Sequence, residues 1–561
     1  MRSTSRRRRG VVPALAVAVT LTTLLASCGG DSSGPESSDG VETGLAQASK
    51  PVRGGQVVYG LEAESDSYCL SSAQFALPGI QVSRAIFDPI VVPDPKAEGG
   101  YAPYLVKSLT PSSDYRTWTV ALRPNVTFHD GSKLDATVFK NNIDAFRGKY
   151  PNRSSLLFAL MLQNIDTVEV ENELTVKITT VDPWVNLPGT LYGGGRVAIM
   201  AQAQLDADPE TCRTHPIGTG PFEFLKWDEG SSLKVTRNPN YWQTAPDGKP
   251  YPYLNAVEFR VLPSSDERVQ QLVKGEINMM HTSTAADIAS NLPDLVNAGV
   301  INMMTSEFET ETNYLMFNSS KPPFDEPDAR EAAVQAIDRS KLNEEANLGA
   351  SNLANGPIAP GSAGYVKDDI ATRYDLAAAR KTVARLKADK KSVAFTLLIS
   401  EDITVVRQNE IIKRMLQQAG FDVTLEVVDQ PSLINTAIGG DYQLASFRNQ
   451  PGGDPDINYP WWFGNGNPVN FGRFDDPEIN DLFTDARSNP DPKVREADYQ
   501  KITRRMVTQH YNVYLFYTRW AVAEASNVHG ILGPPLPNKN EPPPRLVTGH
   551  SMAGIWIEPR T

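Results

Sequence analysis

Between residues 393 and 446 apolar runs and amphipathic stretches alternate in an order that admits few folds. Residues 393–399 form a continuous apolar run of strand length, 406–418 carry Ile411, Ile412, Met415 and Leu416 at helical spacing, and Gly420 stands where a helix C-cap is expected. Residues 423–428 read as a second strand, 431–438 as a second helix and 442–446 as a third strand. Strand, helix, strand, helix, strand predicts a parallel sheet with right-handed crossovers, whose ligand crevice lies at the carboxyl ends of its strands. The loop after Ser446 is therefore the first place to look for function.

Elsewhere the pattern is also mixed. Residues 56–61 read as a short apolar strand, and 118–122 alternate at period two until Pro124 stops them. Val168 and Val170, then Leu174, Val176 and Ile178, flank Glu171-Asn172-Glu173 as a hairpin would require. Asp135 precedes Phe139, Ile143 and Phe146, the face of a helix with an aspartate cap. The class expected is α/β.

The N-terminus sets the compartment. Arg2 and Arg6 to Arg9 form a positive segment, and residues 11–25 are an apolar stretch of about fifteen, signal-peptide length and short for a membrane span. Leu25-Ala26-Ser27-Cys28 resembles the lipobox of bacterial lipoproteins, which makes residues 1–27 a signal peptide and Cys28 the site of lipid attachment. Residues 28–50, rich in Gly, Ser, Asp and Glu, read as a disordered tether with a reach of roughly 25 Å. Location at the extracytoplasmic face of the cell membrane follows, with Sec and twin-arginine export both open. Loss of the five signal arginines takes the net charge from −12 to −17, a poor balance for binding nucleic acid. Cys69 and Cys212 then remain in an oxidising compartment, where one disulfide between them is expected.

The order of motifs resembles the peptide- and nickel-type extracellular solute-binding proteins of ABC importers along almost the whole mature chain. The resemblance is carried by Gly54-Gly55-Gln56-Val57-Val58-Tyr59-Gly60-Leu61, by Leu122-Arg123-Pro124-Asn125-Val126-Thr127-Phe128-His129-Asp130-Gly131, and by Pro216-Ile217-Gly218-Thr219-Gly220-Pro221-Phe222. Arg237-Asn238-Pro239-Asn240-Tyr241-Trp242, Val273-Lys274-Gly275-Glu276-Ile277, Pro322-Pro323-Phe324-Asp325 and Pro357-Ile358-Ala359-Pro360-Gly361 follow in order. It implies a two-lobed periplasmic-binding-protein-like fold that closes on its ligand by hinge motion. One lobe is expected from residues 51–95, 206–305 and 521–561, with an inserted α+β subdomain at 96–205, and the other from 306–520. The implied partners are a small, peptide-like solute, ABC permease subunits and, through Cys28, membrane lipid; no cofactor is implied.

The candidate ligand contacts are Tyr68 in the loop after the first strand, Phe447, Arg448, Asn449 and Gln450 in the loop after Ser446, and Trp461 and Trp462, one of them expected in the pocket and the other in the core. Arg448 suits a carboxylate or phosphate, or else a surface salt bridge. In peptide-binding relatives an aspartate three residues before the acid of an acid-proline pair takes the peptide's amine. Counting back from Asp454-Pro455 gives Pro451 here. Either another acid, such as Glu62, Glu64 or Asp66, replaces it or the ligand has no free amine. Asp454 and Asp456 read as a turn and helix cap. Phe128-His129-Asp130-Gly131 reads as structural, Gly193-Gly194-Gly195 as a flexible loop, and the six histidines show no metal-type i, i+4 pair. No nucleophile elbow or zinc ligand set suggests an enzyme. A binding protein for a peptide-like solute is expected; alternatives are the same fold holding an oligosaccharide, metal chelate, haem-like or modified amino compound, or a surface sensor or adhesin.

Overall fold

The computed structural model describes residues 50–94, 96–155, 157–305, 310–449, 453–538 and 545–559. Cys28, the signal segment, the tether, Gln450 and Pro451 lie outside them. Among the described residues no helix is long and apolar enough to cross a membrane.

The segment read first folds as its pattern requires. Strand Ala394–Ser400 pairs in parallel with Asp422–Val428 on one side and Leu444–Arg448 on the other. Between the first two runs the helix Ile403–Ala419, which Asp402 caps by accepting from the Thr404 and Val405 amides. It ends at Gly420, whose φ of 102° is a conformation that costs a glycine nothing. Ile411, Ile412, Met415 and Leu416 are buried against that strand, while Leu433 and Ala437 of the helix Gln430–Gly439 pack on its opposite face. The third strand starts at Leu444 rather than 442, because the Asn318 amide donates to the Tyr442 carbonyl and takes it out of the ladder. The sheet is also mixed: Glu311–Phe317 and Asn512–Thr518 join it antiparallel, giving six strands with Asn352–Leu353 at one edge.

A second, seven-stranded sheet holds Gln56–Leu61 near its centre, parallel to Ala256–Val261 and Met279–Thr282. Phe222–Asp228, Ser232–Arg237, Ile301–Thr305 and Ala521–Ala525 complete it. The chain thus leaves this sheet after Thr305, enters the six-stranded sheet at Glu311, and returns between Thr518 and Ala521. We call the bodies around the seven- and six-stranded sheets the first and second lobes. A four-stranded antiparallel sheet of Val106–Pro111, Thr117–Leu122, Ile165–Asn172 and Thr175–Thr180 packs into the first lobe's core. Asp135 caps the helix Ala136–Phe146 beside it.

Two motifs of the sequence meet here for structural reasons. The Gly218 amide donates to His129 Nδ1 at 3.2 Å, so His129 Nε2 carries the proton and donates to the Gly220 carbonyl at 3.0 Å. Burial pushes the imidazole down to about 4, which keeps it neutral in that role. A Cβ on Gly218 would stand 2.0 Å from the Ile86 carbonyl oxygen, so only glycine lets this loop lie against the end of the helix Leu77–Ile86. Cys69 and Cys212 are joined by a disulfide with Cα atoms 5.0 Å apart.

Glu524, in the strand Ala521–Ala525, is buried with Oε2 unpartnered, and burial raises its carboxyl to about 8 against a weak 3.5 Å hydrogen bond from Asn302. The folded chain therefore keeps a proton that the unfolded chain releases near the ordinary carboxylate value. Stability from this group is complete at acid pH and is lost as pH rises through 8, at no more than about 1.4 kcal/mol per pH unit. The thermal denaturation midpoint should fall as pH rises from about 5 to 8 and level off above that, and Glu524→Gln should flatten that fall; an unchanged slope in the variant would assign the effect elsewhere. Asp88, raised by burial to about 6, acts with the same sign at lower pH.

Candidate functional site

Arg448 ends the strand Leu444–Arg448 of the second lobe and points out of it, towards the first. Its Nη1 donates to Ser283 Oγ at 3.0 Å and lies 3.7 Å from Glu311 Oε2, while Nη2 is 3.8 Å from Glu62 Oε1. The guanidinium also stands over the Trp520 ring, 5.2 Å from its centroid. Glu62 and Ser283 follow strands of the first sheet, whereas Glu311 and Trp520 lie on the two passages between lobes. Trp520 Nε1 donates to Glu311 Oε2 at 2.8 Å, tying those passages together. One cation thus gathers both lobes and both crossings.

Electrostatics explain why the group tolerates this position. Burial works against the Arg448 charge, but Glu311, Glu62 and Asp402 outweigh it and hold its pKa above the ordinary arginine value. Burial likewise lifts the carboxyls of Glu62 and Glu311, with Arg448 opposing it first in each case. The Glu62 amide donates to His281 Nε2 at 3.2 Å, which orients the turn after the first strand. Arg448 is therefore no surface salt bridge.

The lobes also touch elsewhere. Gln74 Nε2 donates to Asn435 Oδ1 at 2.8 Å near the surface. Deeper, Trp184, which follows the four-stranded sheet, donates from Nε1 to Asp456 Oδ2 at 2.8 Å, and the Val185 amide donates to the Arg487 carbonyl at 2.9 Å. Arg487 Nε sits 3.0 Å from Asp456 Oδ1, and its guanidinium lies between the Trp184 and Tyr459 rings at 4.5 and 4.0 Å. Trp184, Asp456 and Arg487 are all buried. Asp454 caps the short turn Pro455–Asn458 and pairs with Arg495, as a cap reading predicts for it. Asp456 is not a cap: its carboxylate is spent on Trp184 and Arg487 across the lobes, and burial raises it against the pull of Arg487.

The remaining sequence candidates separate by burial and bonding. Tyr68 is only 1 % exposed, packed on Phe75 and Trp227. Asn449 is committed to backbone, accepting from the Thr312 amide and donating to the Pro357 carbonyl. Trp462 is buried near Phe483, whereas Trp461 packs on Phe471 with the rings tilted by 55°, and Phe471 in turn meets Phe447. Phe447, Phe471 and Trp461 form one aromatic wall with which Leu160 of the first lobe packs. Of the acids considered for an amine, Glu64 accepts from Trp227 Nε1 and the Gly230 amide, and Asp66 accepts from the Gln74 amide, so Glu62 alone borders Arg448.

Sequence reasoning missed Ser283, Glu311, Trp520 and Trp184. None of the four carries a local signal in the sequence. Among the described residues no group of three His, Cys, Asp or Glu is placed to hold a metal ion.

Residues 100–471 match the bacterial extracellular solute-binding proteins, family 5 Middle. Along 565 aligned residues, covering 94 % of this chain and 96 % of the relative, the sequence is 24 % identical to the oligopeptide-binding protein AppA of Bacillus subtilis strain 168. The structure of AppA from Bacillus subtilis in complex with a nonapeptide superposes with a TM-score of 0.77 at 19 % identity, covering 91 % of this chain and all of that one. The A. tumefaciens R10 binding protein AgaA, in complex with agropinic acid, gives a TM-score of 0.78 at 23 % identity, with 90 % and 99 % covered.

Proposed function

We propose, from the premise that this chain belongs to family 5 of the bacterial extracellular solute-binding proteins, that it is the capture subunit of an ABC importer and encloses a peptide or peptide-like solute between its lobes. The observation that carries the reading is Arg448, whose contacts reach Glu62 and Ser283 of the other lobe and Glu311 at the crossing, so that closing the lobes assembles the site. A ligand favours the closed form by contacting both lobes, and that form is the one a permease would engage. The role is binding, without a reaction.

The oligopeptide-binding relative supports a peptide as solute, and backbone-directed binding needs no fixed side-chain sequence. The complex of AgaA with agropinic acid favours a second reading, a non-peptide solute held in the same cleft. Lipid attachment at Cys28 belongs to the proposal, placing the protein on the extracytoplasmic face of the membrane. So do the lobe boundaries 51–95, 206–305 and 521–561 against 306–520, with 96–205 as the insert. Phe447, Arg448 and Trp461 are the ligand contacts retained from the sequence.

A thermal-shift screen of free, N-acetylated and non-peptide solutes tests the reading. A true ligand at a hundred times its dissociation constant adds about 2.7 kcal/mol of stability. Free peptides stabilising while N-acetylated ones fail shows that a carboxylate of the protein receives the amine, and loss of that difference in Glu62→Gln assigns it to Glu62. Stabilisation by non-peptide amino compounds alone replaces the peptide reading by the second.

A further inference from the structure

We propose that the first lobe carries a second binding site, apart from the cleft between the lobes, which takes a short aliphatic carboxylate on the guanidinium of Arg84. The proposal does not depend on which solute the cleft holds.

Arg84 stands in the last turn of the helix Leu77–Ile86, every residue of which is buried. A helix buried all round ordinarily carries apolar side chains on every face. Arg84 is 6 % exposed, and among the described residues its guanidinium makes no hydrogen bond and no ion pair. The Tyr192 ring covers one side of it, with the centroid 5.5 Å away. The end of a helix favours a positive charge, which accounts for a cation here but satisfies none of its donors. Nη2 is shut off from water altogether, so Nε and Nη1 are the donors open to a ligand. A buried charge without a partner is unfavourable until an anion completes it.

Arg84 lines a cavity of about 40 Å³. At about 10–15 Å³ for each water, that is room for about three waters or for an acid the size of acetate or propionate. Val92, Pro221, Met304, Ile531, Leu532 and Leu546 give it apolar walls. Asp88 also lines it, but both its oxygens are engaged: Oδ1 accepts from Tyr241 Oη at 2.8 Å, and Oδ2 accepts from Thr219 Oγ1 at 3.0 Å and Trp242 Nε1 at 2.8 Å. His550, on the same wall, is neutral, because burial pushes its imidazole down to about 4. Arg84 is thus the charge on this wall that nothing bonded to it matches. A carboxylate offers two oxygens to the guanidinium fork and an alkyl group to the apolar walls. Inorganic phosphate would turn oxygens towards those walls and lose their hydration.

The cavity is separate from the cleft. Among the described residues none from Glu311 to Thr518 lines it, and neither do Glu62, Ser283 and Trp520, which surround Arg448.

Calorimetric titration of the purified protein with sodium acetate, sodium propionate, propionamide and inorganic phosphate, at an ionic strength held constant with chloride, tests the proposal. Propionate should bind one to one, and propionamide, which has the same shape without the charge, at least about tenfold more weakly, the scale of a hydrogen bond to a charged group. Arg84→Gln should weaken propionate by at least about tenfold, and Arg84→Lys should recover part of that loss. Val92→Phe, which fills the cavity from its apolar side and keeps the arginine, should weaken propionate as much. Melting curves of the three variants check the fold, and each variant should bind free tripeptides as the wild type does. Acid and amide binding alike, phosphate binding in place of propionate, or propionate binding that survives in both Arg84→Gln and Val92→Phe would overturn the proposal.

Discussion

Replacing Cys69 and Cys212 together by alanine should lower the stability of the folded protein by about 2–5 kcal/mol, the range for a native disulfide. The bridge spans 143 residues, and in the chain-entropy view a loop of that length restricts the unfolded chain by about 5 kcal/mol, near the upper end of the range. Both cysteines are buried, so the side chains also contribute packing that alanine removes. The bridge joins the turn after the first strand of the first lobe to the helix Pro209–Thr214, where the chain returns from the four-stranded sheet. Urea unfolding of the wild type and the double variant measures the difference. Because the loop is internal to the first lobe, its loss should lower the urea midpoint while leaving ligand affinity within severalfold, and equal midpoints would refute the expectation.

The second large effect concerns closure. Asp456 and Arg487 of the second lobe are buried under Trp184 of the first, and removing one partner of such a pair leaves a charge without compensation, a cost of about 3–5 kcal/mol. An open protein escapes that cost by letting water reach the charge. The penalty then falls on the closed, liganded form alone. Arg487→Met should weaken the ligand found by thermal shift by at least about a hundredfold, with little change in the melting of the unliganded protein. Adding Asp456→Asn to it removes the orphaned charge and should recover at least about tenfold, the coupling a double-mutant cycle reads. Full affinity in Arg487→Met, or no recovery in the pair, would show that the contact does not hold the lobes together.

These two contacts differ in how far the sequence foretold them. A disulfide between Cys69 and Cys212 follows from composition and compartment, because no other cysteine is left once Cys28 is set aside. The cluster of Trp184, Asp456 and Arg487 joins residues 272 apart, and each has a local role that hides it. Asp456, two residues after a capping aspartate, reads naturally as part of the same turn. Its burial beneath a tryptophan from the other lobe is a tertiary fact.

The same distinction runs through the fold. The segment from Ala394 to Arg448 was legible because continuous apolar strands, an amphipathic helix and a glycine cap agree locally. Where they misled, as at Tyr442, a distant side chain, Asn318, had taken the backbone carbonyl. At the site, Arg448 stood out as a candidate in the sequence from its place near a strand end, but not as a bridge, since Glu62, Ser283 and Glu311 reach it from three separate parts of the chain. Tyr68 was placed in the cleft by its loop, whereas Phe75 and Trp227 bury it.

Native mass spectrometry of the protein as purified tests most directly whether it holds a solute between its lobes. The account predicts a one-to-one complex with a small molecule, peptide-like in mass and fragmentation, that is retained by the wild type and lost in Arg487→Met. A bound species retained equally by both proteins, or a wild-type protein that binds no member of the peptide and amino-compound libraries, would contradict it.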